Sequence, residues 1–150
     1  MAEVGTQSIH RLLLRRKFDV ARKAVFDAWT NAEQISRWFA PSDDYETFIA
    51  EIDFRIGGAY RIGMRHKAKG IEHIAHGVYR EIVVPERLVF TWSWEEAPGS
   101  PETLVTVVFR ENAGATELTL THELFPDQKS MQAHEQGWIG SIGRLAQVLG

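Results

Sequence analysis

The stretch GWIGSIGRLAQVLG, residues 137–150, decides how the chain is read. Trp138, Ile142, Leu145 and Leu149 recur at spacings of four, three and four, the period of a helix with one apolar face. Gly137, Gly140 and Gly143 interrupt that helix, and each costs roughly 1 kcal/mol relative to alanine. On a wheel of about 100° per residue, Met131, Ile142, Leu145 and Leu149 fall within roughly 40° of Trp138. The glycines fall near 260°, 200° and 140° on the same approximate wheel, beside Gln136, Arg144 and Gln147. The spacing therefore predicts a helix over about residues 130 to 149 with the glycines on its back. Two expectations for that back stay open: a solvated face, or a bare surface that another backbone, such as a second subunit's, approaches closely.

The same stretch imitates catalytic and nucleotide motifs without matching them. IGSIG around Ser141 has Ile139 where a nucleophile elbow needs glycine, and it lies inside a helix rather than on a strand-to-helix turn. The three glycines do not follow the dinucleotide-binding spacing, and Gly57-Gly58 lacks the further glycine and lysine of a phosphate loop.

Working back from this helix, the period is two. TLVTVVFR and TELTLTHEL read as strands around the turn ENAGA. RLVFTWSWE alternates so that Leu88, Phe90, Trp92 and Trp94 share a face. IEHIAHGVYREIV, AYRIGMRH and ETFIAEIDF read as strands bounded by VPE, KAKG and Gly57-Gly58. Before them, ARKAVFDAWTN and NAEQISRWFAP have helical spacing. In the second, Asn31 and Gln34 stand at capping-box spacing, and Pro41 ends the run. A first strand spans about residues 7 to 18. The order is strand, two short helices, six strands, long helix. Short turns join the six strands into an antiparallel meander. The expected class is α+β, one domain over residues 1–150, with a curved sheet that needs the last helix to cover its apolar face.

Composition narrows the function. Five Trp, eight Phe and three Tyr supply bulky material for a core or for cavity walls. The net charge of −3 lacks the basic footprint of a nucleic-acid binder, so nucleic acid is not an expected partner. The chain has no cysteine, which excludes disulfides and thiolate chemistry. The start lacks the apolar run of a signal peptide, and no stretch approaches the ~20 apolar residues of a membrane span. The expected location is the cytoplasm.

The ordered pieces resemble a known pattern. AVFDAWTNAEQISRWFAP, EIDFRIGGAYRIGM, GVYREIVVPERLVFTW, GATELTLTHELF and HEQGWIGSIGRLAQVL together are similar to the START-like (SRPBCC, helix-grip) superfamily. Within it they resemble the bacterial branch related to the activator of the 90-kDa heat-shock protein ATPase. One departure is FDVARKAV, which lacks the proline often found before the first helix. The resemblance implies a helix-grip fold and a cavity between sheet and last helix. Activity does not follow from it, because binders, cyclases, hydrolases and co-chaperone domains share the fold.

Parity and wheel position supply candidate cavity residues: Trp38, Phe39, Phe90, Trp92, Trp94, Leu118, Leu120, His122, His134, Trp138 and Ile142. Leu88, Met131, Leu145 and Leu149 accompany them on the same faces. They wall a cavity or fill a core. His122 shares parity with Leu118 and Leu120, and His134 lies one turn before Trp138. The two could orient a polar ligand group or shuttle a proton; the plainer expectation is that each is hydrogen-bonded at the rim of the core. His73 and His76 point to opposite faces of a strand, and His66 with His73 reads as a surface pair beside the KAKG turn. Glu51 and Asp53 share a face near Arg55 and Arg61, which argues for ion pairs rather than a paired-acid site. No metal, cofactor or catalytic set is expected.

The leading reading is a non-enzymatic binder of a small apolar or amphipathic molecule. One alternative is a co-chaperone-like module stimulating a heat-shock ATPase, which would bring a role in stress response and a chaperone contact. Another is a cyclase or hydrolase using His122 or His134. A homodimer contact through the glycine face belongs with the partner expectations.

Overall fold

Seven antiparallel strands form one sheet in the computed structural model, which describes residues 10–150. The elements are β1 (Leu12–Phe18), α1 (Arg22–Thr30), α2 (Ala32–Trp38), β2 (Tyr45–Ile52), β3 (Ala59–His66), β4 (Glu72–Val83), β5 (Arg87–Trp94), β6 (Thr103–Asn112), β7 (Ala115–Glu123) and α3 (Gln128–Leu149). In these numbers the strand order is β1-β7-β6-β5-β4-β3-β2. The six later strands are a meander, and β1 closes it by pairing with β7, Leu12 opposite His122 and Phe18 opposite Thr116. The fold is α+β and of the helix-grip type. The expected start of the first strand, residues 7 to 9, lies outside the described residues.

Local chemistry explains the element ends. Asn31 caps α2, its side chain accepting from the Gln34 amide at 3.1 Å. Asp127 caps α3 by accepting from the Ser130 amide at 2.7 Å. Ala21 precedes α1 without a side-chain cap, in keeping with the missing proline. Gly57, at φ 84°, takes the left-handed conformation the β2–β3 turn needs. Register shifts between Thr47 and Ile49 in β2, and between Tyr79 and Glu81 in β4, bend those strands. The sheet curls around α3 as a result.

The concave face carries the core. Val105, Val107, Phe109, Leu118, Leu120 and Leu145 are buried. They meet α1 through Phe26 and Trp29, whose rings lie 5.2 and 6.3 Å from Phe109, and Trp38 of α2 packs on Trp29 at 4.8 Å. The two short helices thus share with α3 the task of covering the sheet, at one end only.

The glycines of α3 do not behave alike, and this corrects the reading of a uniform solvated back. A Cβ on Gly137 or Gly143 would meet open space, whereas one on Gly140 would lie 1.8 Å from the Pro41 carbonyl oxygen. Ser141 Oγ donates to the Ala40 carbonyl at 3.0 Å. Arg144 donates to the carbonyls of Trp38 and Arg37, each at 3.3 Å, and pairs with Asp43. The backbone that approaches closely is therefore the chain's own α2–β2 loop, clamped onto the flank of α3.

Candidate functional site

Beyond that clamp, the groove under α3 opens into a cavity of about 500 Å³. β5 contributes Trp92 and Trp94 to its wall, and the following loop contributes Glu96. Its far side is Met64 and His73, paired across β3 and β4. The loop after α2 brings Phe39 and Pro41, and the start of β2 brings Tyr45. α3 closes the top with His134, Gly137, Trp138 and Ser141. Gly137 lines this cavity, and a Cβ built on it would meet no atom within 4 Å.

The aromatic rings form a continuous wall. Trp92 lies 5.3 Å from Trp94, 5.3 Å from Trp138 and 6.0 Å from Phe39 between ring centroids. Such tilted and edge-on contacts suit the ring quadrupoles. Trp92 is buried, and its indole N–H has no partner among the described residues. Three other wall donors are taken: Trp94 Nε1–H donates to His134, Trp138 Nε1–H to His122 and Ser141 Oγ to Ala40.

The two histidines are neutral and committed. His134 accepts from Trp94 at its Nε2 (2.9 Å), so the proton sits on Nδ1 and goes to the Ser130 carbonyl at 2.8 Å. Burial lowers its pKa, against an opposing pull from that carbonyl. His122 is fully buried. Its Nδ1 accepts from Trp138 at 3.0 Å. Thr103 Oγ1 donates to the Trp92 carbonyl at 3.1 Å, so the 2.7 Å contact with His122 Nε2 makes that nitrogen the donor. Burial, with His134 nearby, drives the His122 pKa well down. The bonds form a one-way chain from Trp138 through His122 and Thr103 to Trp92. No lone pair remains on either imidazole for proton transfer, so the geometry gives no support to the hydrolase and cyclase alternative. The rim expectation also needs correction for His122, which lies within the core.

Of the sequence candidates, Phe39, Trp92, Trp94, His134 and Trp138 line the cavity. Trp38, Phe90, Leu118, Leu120, His122 and Ile142 are buried outside its lining. They share the right faces but lie in packed core, His122 directly behind Trp92, His134 and Trp138. Trp38, for instance, is 0% exposed and donates its Nε1–H to the Ala28 carbonyl at 3.0 Å. Sequence reasoning missed Tyr45, Met64, His73 and Glu96. His73 is not half of a surface pair: it lies opposite Met64, and its Nδ1 stands 2.8 Å from Glu96 Oε2. His66 instead accepts from the Ala68 and Lys69 amides and caps the turn. On the convex face Asp53 pairs with Arg55 at 2.9 Å, and Arg61 pairs with Glu95 and, at 3.8 Å, with Glu51. No cluster able to hold a metal occurs among the described residues. No described helix is long and apolar enough to cross a membrane.

Residues 19–150 match the family described as Activator of Hsp90 ATPase homolog 1-like protein. The chain belongs to this family. Its fold is shared with a Chromobacterium violaceum protein of solved structure, at 26% identity and a TM-score of 0.85, over 93% of this chain and 96% of that one. The family member from Silicibacter pomeroyi, also 26% identical over 93% and 96% of the two chains, superposes with a TM-score of 0.82. A Mycobacterium smegmatis protein is only 15% identical yet reaches 0.82 over 96% and 93%, and that likeness concerns the fold alone. No curated protein matches the chain.

Proposed function

We propose that the chain binds a small apolar or amphipathic molecule in the cavity between α3 and the open end of the sheet. The observation that carries this reading is the cavity itself: about 500 Å³, with Phe39, Tyr45, Trp92, Trp94 and Trp138 in its wall. Ligand sites are typically concave, of 300–1,000 Å³, mostly apolar, with a few placed polar groups.

Naphthalen-2-ylmethanol, a neutral aromatic probe, tests the proposal. It should raise the melting temperature in a concentration-dependent way and quench tryptophan fluorescence. Gly137→Leu should abolish both responses, since its side chain starts in the cavity's open space. The variant should itself be more stable, by roughly 0.5–1 kcal/mol from helix propensity. Absence of any probe response in the native chain, or an equal response in the variant, overturns the reading.

The family match favours a second reading, a co-chaperone-like module that stimulates a heat-shock ATPase. Its measure is the ATPase rate of the 90-kDa chaperone with and without the chain. A cavity ligand and a chaperone contact are compatible, and Gly137→Leu would separate them.

A further inference from the structure

We propose, building on the ligand-binding reading, that the cavity is selective for an organic cation: an amine or quaternary ammonium group on an apolar or aromatic body. Among the described residues lining the cavity, Glu96 is the only acid, and neither lysine nor arginine is present. The nearby guanidinium groups are committed elsewhere. Arg65 is paired with Glu46 and Glu72 and lies over Phe48, while Arg144 is bound to Asp43 and the α2–β2 loop. An anion entering this cavity meets a carboxylate whose partner is the His73 imidazole, with no lysine or arginine in the lining.

Glu96 is also held in place. Its Oε1 accepts from the Ile74 amide at 3.0 Å, and its Oε2 accepts from His73 Nδ1–H at 2.8 Å. A carboxylate has about four acceptor sites, so each oxygen keeps one for a ligand N–H. The same bonds hold the carboxylate, still 39% exposed, at the border of the cavity.

The wall around it suits a cation equally well. The Trp94 ring lies 6.0 Å from His73 and 5.3 Å from Trp92, and the Tyr45 ring lies 6.4 Å from His73. Tyr45, Trp92 and Trp94 thus line the cavity that Glu96 borders. Aromatic faces attract a cation within about 6 Å of the ring centroid, and more strongly when it is desolvated. A carboxylate beside several aromatic rings, without a basic residue, is complementary to an amine head with an apolar body.

Three probes sharing one ring system decide the matter by calorimetric titration of the full chain at neutral pH. They are naphthalen-2-ylmethylamine, naphthalen-2-ylmethanol and naphthalene-2-carboxylate. The amine should bind about tenfold more tightly than the alcohol, and the carboxylate most weakly. In Glu96→Gln, which keeps an acceptor for the Ile74 amide, the amine should lose most of its advantage over the alcohol and the alcohol should be unchanged. In the native chain the advantage of the amine should also shrink as ionic strength rises from about 0.01 M to about 1 M, a readout that needs no variant. An amine no tighter than the alcohol, or an advantage that survives both Glu96→Gln and high salt, overturns the cation proposal while leaving the cavity reading intact. If none of the three binds, the ligand-binding reading fails and the cation proposal with it.

Discussion

The groove beneath α3 has two ends built from the same alternating strands, and they differ in what covers them. At one end Phe109, Leu118, Leu120 and Leu145 are sealed by Phe26, Trp29 and Trp38 from the two short helices. At the other, Trp92 and Trp94 stand beside α3 with Phe39 and Trp138, and a cavity remains. The two histidines, 5.2 Å apart, divide by depth instead: His122 is fully enclosed, while His134 borders the cavity. An inward-facing aromatic residue becomes core or wall according to its cover, and strand parity does not report cover.

The contrast can be broken most forcefully at the sealed end. Leu118→Ala should cost about 2–5 kcal/mol in chemical denaturation, because the site is fully packed. Its probe affinity should remain that of the native chain under folding conditions. A loss of probe affinity larger than the loss of folded protein would mean that the two ends are not separate.

The next effect concerns the clamp. Gly140→Ala should destabilise by about 1–3 kcal/mol as its methyl is forced against the Pro41 carbonyl. Gly143→Ala, one turn away in open space, should stabilise by roughly 0.5–1 kcal/mol. Equal signs for the two would remove the distinction between them.

How much of this was legible beforehand follows from where each signal lives. Period-two alternation placed six strands, Asn31 marked the start of α2, and the Trp138-Ile142-Leu145 stripe marked the helix that the sheet grips. These signals are local in sequence. The pairing of β1 with β7, the seat of Gly140 on Pro41, and the meeting of Tyr45, His73 and Glu96 are not local. A helix wheel gives the direction of Gly140 but not its neighbour, so its contact with the chain's own loop resembled a face left for solvent or a partner. His73 and Glu96 are separated by a whole strand, and only the β4–β5 pairing brings them together.

A smaller effect separates the enclosed histidine from solvent. Burial holds His122 neutral in the folded chain, whereas an unfolded histidine protonates near pH 6.5. The unfolded chain then binds more protons below that pH, so stability is full above it and falls as the pH drops. The loss due to His122 should be on the order of 1 kcal/mol between pH 7.5 and pH 5.5, and His134 should add to it in the same direction. Chemical denaturation at the two pH values measures the sum. His122→Asn should lack the His122 share; an unchanged pH dependence in that variant would mean that His122 is not held neutral.

Native mass spectrometry of the protein purified from its own host tests the central claim most directly. The account predicts a small-molecule adduct that is lost on denaturation and absent from Gly137→Leu prepared in the same way. The bare polypeptide mass in both preparations, or the same adduct on both, would contradict it.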